Sequence, residues 1–268
     1  SEPIEMTSPA NTRKTVLLQI IPFGASQKLI IGRDVTRLLL LEQMRRNFVA
    51  NVSHELRTPI TVLSGYLETL RTIKQPRAEE LENHLAIMHE QALRMQRLVD
   101  DLLTLSKLET TPPARHDEPV DVPALLAALS DTARLLSNEH QHRITLAADP
   151  DLQLLGDTEE LRSAFSNLIN NAVRYTPPGG AIELRWQAGP DGAQFSVRDS
   201  GEGIAPQHIP RLTERFFRVD SARSRDTGGT GLGLSIVKHV LLRHDAQLKI
   251  DSETGRGSAF TCVFPAAR

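Results

Sequence analysis

Residues 48–60 read FVANVSHELRTPI, inside a run of helix-forming residues in which Val52, Leu56 and Pro59 fall at steps of four and three. The same steps continue through Leu63, Tyr66, Leu70 and Ile73, and a second run repeats them at Leu81, Leu85, Met88, Ala92, Met95, Val99 and Leu102. Each run is a helix with an apolar seam. The first extends from Leu38 to about Ile73 and the second from about Glu80 to Glu109, with Lys74-Gln75-Pro76-Arg77 as the turn between them. One hairpin cannot cover two long seams, so pairing two hairpins into a four-helix bundle is the economical solution and a homodimer is expected.

The rest of the chain has a different texture. Thr111 to Pro119 is polar and proline-bearing and reads as a linker. Beyond it the order is helix (Val122–His140), strand (Arg143–Ala148), helix (Asp157–Arg174), then strands near Ile182–Gln187 and Ala193–Arg198. A glycine-rich stretch, a helix (Gly233–His244) and strands Ala246–Ser252 and Ser258–Phe264 complete it. This is the pattern of an α+β sandwich. Before the hairpin, Thr15–Pro22 and Gln27–Arg33 read as two strands, too few for a core of their own, and look like the end of a domain that begins upstream. The expected divisions are therefore 1–37, 38–111 and 112–268.

A chain of 268 residues with net charge −2 holds about two compact domains and carries no excess of basic charge pointing to nucleic acid. No apolar run approaches the roughly 18 residues that span a bilayer, and Ser1-Glu2-Pro3 starts neither a signal peptide nor a lipidation site. The single cysteine, Cys262, lies in an alternating stretch and reads as a buried strand thiol.

Within the opening stretch, His54 lies two residues past Val52, about 200° around a helix, and so points away from the seam. A surface histidine is ordinarily just solvated. This one has Glu55 beside it, which can accept the Nδ1 proton and leave Nε2 nucleophilic, and Thr58 one turn on, on the same face, where it can orient a water. Pro59 removes a helical hydrogen bond and bends the helix there, for docking or merely for packing. In the later domain Asn167, Asn171 and Arg174 share a helical face, two amides and a cation suited to phosphate oxygens and hydrated Mg2+, though asparagines also cap helices. Asp199, at a strand end before Gly201 and Gly203, can accept a hydrogen bond from an exocyclic amine such as that of adenine. Gly229-Thr230-Gly231-Leu232-Gly233 opens a helix whose unpaired amides favour phosphate, yet any one such box can be a tight turn, and the Walker lysine pattern is absent.

Taken in order, SHELRTP (53–59), NLINNA (167–172), DSGEGI (199–204), ERFFRVD (214–220) and GTGLGL (229–234) resemble the bacterial sensor histidine kinases of two-component systems. The resemblance runs from about Leu38 onward, and the tracts Arg45–Leu70, Val219 to Ser224 and the end from Ile236 are most similar to the branch that serves phosphate regulation. It implies a dimerisation and histidine-phosphotransfer hairpin followed by an α/β-sandwich ATP-binding domain of the gyrase/Hsp90/histidine-kinase type, the amino-terminal strands closing a PAS sensor domain. It implies that the chain is the cytoplasmic portion of an inner-membrane protein whose membrane segments lie outside it.

Carried over by position, the resemblance makes His54 the phosphoacceptor, Glu55 its acid/base partner and Thr58 the aid to dephosphorylation of a response regulator, the expected partner. Asn171 would bind Mg2+ with Asn167 nearby, Arg174 and Tyr175 would contact phosphate and nucleotide, and Asp199 the adenine amine of ATP, with Gly201 and Gly203 allowing close approach. The segment from about Ala205 to Gly229 would be a lid, anchored by Phe216 and Phe217 with Arg218 as a phosphate contact, and Gly229, Thr230, Gly231, Leu232 and Gly233 would form its phosphate-facing end. Arg174 stands where lysine is frequent and Ser258 where threonine is frequent, and charge and hydroxyl are retained. Two rival readings share some of these boxes: an ATPase of the gyrase and Hsp90 type, and a non-catalytic dimeric scaffold that docks a regulator.

Overall fold

The computed structural model describes residues 3–8, 11–24, 27–73, 77–112, 118–137, 140–219 and 229–265. Residues 74–76 of the expected turn, 113–117 of the linker and 220–228 of the lid lie outside the described residues. The chain divides into two compact units, Ser1–Thr61 and Val62–Arg268.

In the first unit, β1 (Ile4–Ser8), β2 (Asn11–Phe23) and β3 (Gln27–Asp34) form an antiparallel sheet in that order, with Ile4 opposite Leu18 and Val16 opposite Asp34. The sequence reading placed β2 and β3 but missed β1, whose five residues alternate too briefly to stand out from a loop. Helix α1 (Thr36–Thr72) starts straight from this sheet. The Thr36 hydroxyl accepts from the Thr15 amide at 2.8 Å and donates to Asp34 at 2.7 Å, and buried Val35 donates its amide to the Thr15 carbonyl. The hydroxyl of Thr36, then Lys14, hold the Asp34 carboxyl down at about 2.

The second unit contains the end of α1, α2 (Ala78–Thr110) and the sandwich. The seam of α1 is as expected: Val52, Leu56, Leu63, Tyr66, Leu70 and Ile73 are half-buried and Pro59 is buried, while His54 and Thr58 are exposed. The seam of α2 differs. Leu85, Ala92 and Val99 are exposed, and the buried residues are Leu98, Leu105 and Leu108, at steps of seven and three. This second stripe is buried where α2 packs on α5 (Gly233–Arg243). The reading missed it because the stripe is only three residues long and one position out of phase with the stronger repeat.

The sandwich is built from α3 (Val122–Leu136), α4 (Thr158–Tyr175) and α5 over a sheet ordered β5-β7-β8-β10-β9. The strands are β5 (Arg143–Ala148), β7 (Ala181–Gly189), β8 (Gly192–Asp199), β9 (Gln247–Glu253) and β10 (Gly257–Val263); only β5 and β7 pair in parallel. A small ladder of β4 (Pro119–Val120) and β6 (Leu154–Leu155), too short to read from sequence, pins the linker exit beside α4. Helix α3 ends at Leu136, before the expected His140, where the Ser137 hydroxyl turns to bond the His142 amide at 3.0 Å. Side-chain caps start α3 and α4: the Asp121 carboxylate accepts from Ala124, and the Asp157 carboxylate accepts from Glu159 and Glu160 at 2.9 and 3.0 Å. These amides hold the Asp157 pKa below its ordinary value.

Period-two alternation turns Ile182, Leu184, Trp186, Phe195, Val197, Phe260 and Cys262 toward the helices, where all are buried. Phe165 of α4 meets Phe195 at 4.2 Å between ring centroids and Phe264 edge-on at 6.2 Å. Each such side chain contributes about 1.5–3 kcal/mol through burial. Complete burial pushes the Cys262 thiol far above its usual range, as a structural strand thiol should be.

Candidate functional site

The helix face that carries His54 belongs to the first unit. His54 and Thr58 are exposed and Glu55 is half-buried. The Thr58 hydroxyl donates to the His54 carbonyl at 3.4 Å, a long bond of the i to i−4 type that leaves the histidine ring out of the contact. Pro59 lies inside α1, and its missing N–H and its ring mark the place where this helix can bend.

The second constellation is built at the edge of the sandwich, where α4, the end of β8 and the start of α5 meet. Asp199 ends β8. Its Oδ1 accepts from the Gly201 amide at 2.8 Å and the Ser258 amide at 3.2 Å, and the side chain is buried. Burial raises its pKa even though both amides favour the carboxylate. Two fixed amides on one oxygen orient the other for a donor. Ser258, noted in the sequence only for its hydroxyl, thus works through its backbone, while its hydroxyl pairs with Ser252 at 2.9 Å.

The glycines flanking Asp199 serve close approach to the protein's own backbone. A Cβ at Gly201 would overlap the Tyr175 carbonyl, and Gly203, at φ +69°, leaves no room for one against the Glu253 carbonyl. At the start of α5, Gly231 has φ +71° and its carbonyl accepts the Phe216 amide at 2.8 Å, so the base of the expected lid is stitched to the glycine box. Phe217 lies under the Arg211 guanidinium, 4.4 Å from its ring centre. Arg218 is half-buried, and Leu232 is fully buried.

Helix α4 supplies the polar wall. Asn167 donates to the Ser163 carbonyl at 2.9 Å and turns its oxygen toward Gly233, where any side chain would collide with it. Asn171, one turn on, is half-buried and its amide has no hydrogen-bond partner among the described residues. Arg174 lies against Gly229, whose added Cβ would sit 2.7 Å from the guanidinium, with the Tyr175 hydroxyl beside it. Burial pulls the Arg174 pKa down, Tyr175 opposes this, and Arg97 adds to it. An arginine remains charged under such a shift. The structure therefore gathers Asn167, Arg174, Tyr175, Gly229, Thr230 and Gly233 in one place. It also brings in Asp101 of α2, which the sequence reading left unassigned because a carboxylate pair between seam residues reads as a solvated face.

The half-buried Asn171 amide and Arg174 cation, the glycine box at the start of α5 and the Asp199 carboxylate held by two amides form a wall suited to a phosphate-bearing ligand with an amine-bearing base. Residues 156–268 match the family described as Histidine kinase-, DNA gyrase B-, and HSP90-like ATPase, and residues 44–111 match the His Kinase A (phospho-acceptor) domain. The chain belongs to the sensor histidine kinases. It is 54% identical over 267 residues to the phosphate regulon sensor protein PhoR of Pseudomonas aeruginosa, covering all of this chain and 60% of that protein. The chain thus spans about three fifths of the length of this curated relative. Among solved structures, the mycobacterial sensor histidine kinase MprB is 35% identical, with TM-score 0.50 over 55% of this chain and 97% of that one. Full-length ShkA in complex with AMPPNP is 29% identical, with TM-score 0.57 over 84% of this chain and 47% of that one. The kinase hairpin and sandwich expected from the sequence are thus the family's two domains, and no helix among the described residues is long and apolar enough to cross a membrane.

Proposed function

We propose that this sensor histidine kinase phosphorylates His54 from ATP and passes the phosphoryl group to an aspartate of a response regulator; the PhoR relative's name, a phosphate regulon sensor protein, supports phosphate as the regulated signal, and we place it in phosphate-starvation signalling. The observation that carries the reading is Asp199, a buried carboxylate with one oxygen fixed by two amides and the other left for an adenine amine. Asn167, Arg174, Tyr175 and the Gly229–Gly233 box take the phosphates, and the AMPPNP held by ShkA supports a nucleotide here. Mg2+ fits the Asn171 amide, where it would neutralise phosphate charge; Phe216 and Phe217 anchor the lid, and Arg218 reaches a phosphate when the lid closes.

In the forward step Nε2 of His54 attacks the γ-phosphorus in line as the bond to the ADP oxygen breaks, and the Glu55 carboxylate stabilises the imidazolium that develops and accepts its Nδ1 proton. In the next step a regulator carboxylate oxygen attacks the phosphorus and the phosphorus–Nε2 bond breaks. In the opposing reaction Thr58 orients a water against the regulator's acyl phosphate. Residues 1–37 close a PAS-like sensor domain, residues 38–111 the phosphotransfer hairpin and 112–268 the ATP-binding domain, in the cytoplasmic portion of an inner-membrane protein. The exposed apolar side chains of Leu85, Leu93, Val99 and Leu103 on α2 supply the surface for a homodimer.

The test is a two-stage transfer: labelling with γ-labelled ATP, then a chase onto candidate receiver domains. Label should move from the kinase to one receiver, and His54→Ala should take up none while binding AMPPNP within about twofold of the unmodified protein. Acid-stable label, or equal labelling of His54→Ala, would exclude the phosphohistidine route.

A further inference from the structure

Helix α2 does more than carry a seam. Near its carboxy-terminal end Asp101 reaches the nucleotide wall: the Thr230 hydroxyl donates to Asp101 Oδ2 at 2.7 Å and accepts from the Leu232 amide at 3.2 Å. The same carboxylate is near enough to the Arg174 guanidinium to favour its charge, which burial and Arg97 of α2 oppose. Three further ties hold this part of α2 down. Leu98, Leu105 and Leu108 are buried where α2 meets α5, Glu109 pairs with Arg215 and with His239 at 3.2 Å, and the Arg243 guanidinium reaches the Leu108 carbonyl at 3.4 Å.

Resting on the nucleotide reading above, we propose that Asp101 is a built-in competitor of the nucleotide phosphates, its carboxylate holding the Thr230 hydroxyl so that nucleotide loading and release of this stretch of α2 are coupled. The chemistry is that of two anions and one set of donors. A phosphate that reaches Thr230 and Arg174 takes the hydroxyl from Asp101 and sets a second negative charge beside a carboxylate already shielded from water, where Coulomb repulsion is poorly screened. Burial raises the Asp101 pKa, outweighing the bond from Thr230 and the charges of Arg174 and Arg97, which both favour the carboxylate. Relief comes by moving α2 away or by removing the charge.

The experiment uses the 268-residue chain with AMPPNP and Mg2+. Asp101→Asn keeps the shape and loses the charge, and should bind AMPPNP about five- to tenfold more tightly, within the usual range of coupling between sites. Asp100→Asn, an exposed neighbour, should stay within about twofold. Hydrogen exchange gives a readout independent of any variant: bound AMPPNP should speed amide exchange across residues 98–105 of the unmodified protein. Unchanged or weaker binding by Asp101→Asn overturns the proposal, as does equal tightening by Asp100→Asn or exchange across 98–105 that ignores the nucleotide. If the unmodified protein binds no AMPPNP, the nucleotide reading fails and takes this proposal with it; if it binds and Asp101→Asn does not tighten, only this proposal fails.

Discussion

The proposed chemistry rests most heavily on two single residues, Asp199 and Thr58. Asp199→Asn keeps an oxygen for the Gly201 and Ser258 amides but replaces the oriented acceptor with a group that can turn a donor toward an amine. Nucleotide affinity should fall at least about tenfold, in line with an unpaired buried polar group, while the thermal midpoint shifts little; a calorimetric titration and a melting curve on one preparation decide this. The pH dependence follows from the direction of the shift. Because the folded protein holds the Asp199 proton more tightly than the unfolded chain, this group's contribution to stability declines as pH rises through the window above the ordinary carboxylate value. In the same window the carboxylate needed for an amine forms, so AMPPNP affinity should be lost, as pH falls, at a higher pH than an ordinary aspartate would give. Thr58→Ala removes a hydroxyl whose long bond to the His54 carbonyl the helix does not need. It should leave phosphohistidine formation within about twofold and lose most regulator dephosphorylation; a paired assay in which both rates fall together would assign Thr58 to the bend instead.

At the scale of elements, the sandwich was legible because its strands alternate and its helices carry caps. Asp121 and Asp157 sit where apolar periodicity begins, and Phe195 to Asp199 keep period two to the end of β8. What was not legible was tertiary. Strands β4 and β6 have two residues each and exist only through their partners, and the Leu98, Leu105 and Leu108 stripe has meaning only once α5 lies against it. The same holds for the site: the amides and glycines announced themselves by type and spacing, whereas Asp101 shows its role only through the 2.7 Å contact to Thr230. The core of the sandwich rests on Phe165, fully buried against Phe195 and Phe264. Phe165→Ala should destabilise the protein by about 3–5 kcal/mol, read by denaturant unfolding. Asp157→Ala, which frees two amides at the start of α4, should cost about 1 kcal/mol.

For the whole molecule, the two matched domains place a histidine-bearing helix and the proposed nucleotide wall in one chain, and the proposed dimer would join the hairpins of two copies. Leu85 and Val99, 51% and 44% exposed, belong to the seam that a single chain leaves uncovered. Burying a side chain of this size contributes about 1.5–3 kcal/mol, so replacing both with glutamate should weaken the dimer by roughly a hundredfold or more. Sedimentation at micromolar concentration should then find monomers where the unmodified protein sediments as a dimer. The decisive measurement lies in where the phosphate goes. After incubation with ATP and Mg2+, the peptide that contains residues 48–60 should carry one acid-labile phosphoryl group on His54, absent from His54→Ala and much reduced in Asp199→Asn. Phosphate found on another residue, or an acid-stable adduct that survives His54→Ala, would contradict the assignment of this chain as a kinase that phosphorylates its own histidine.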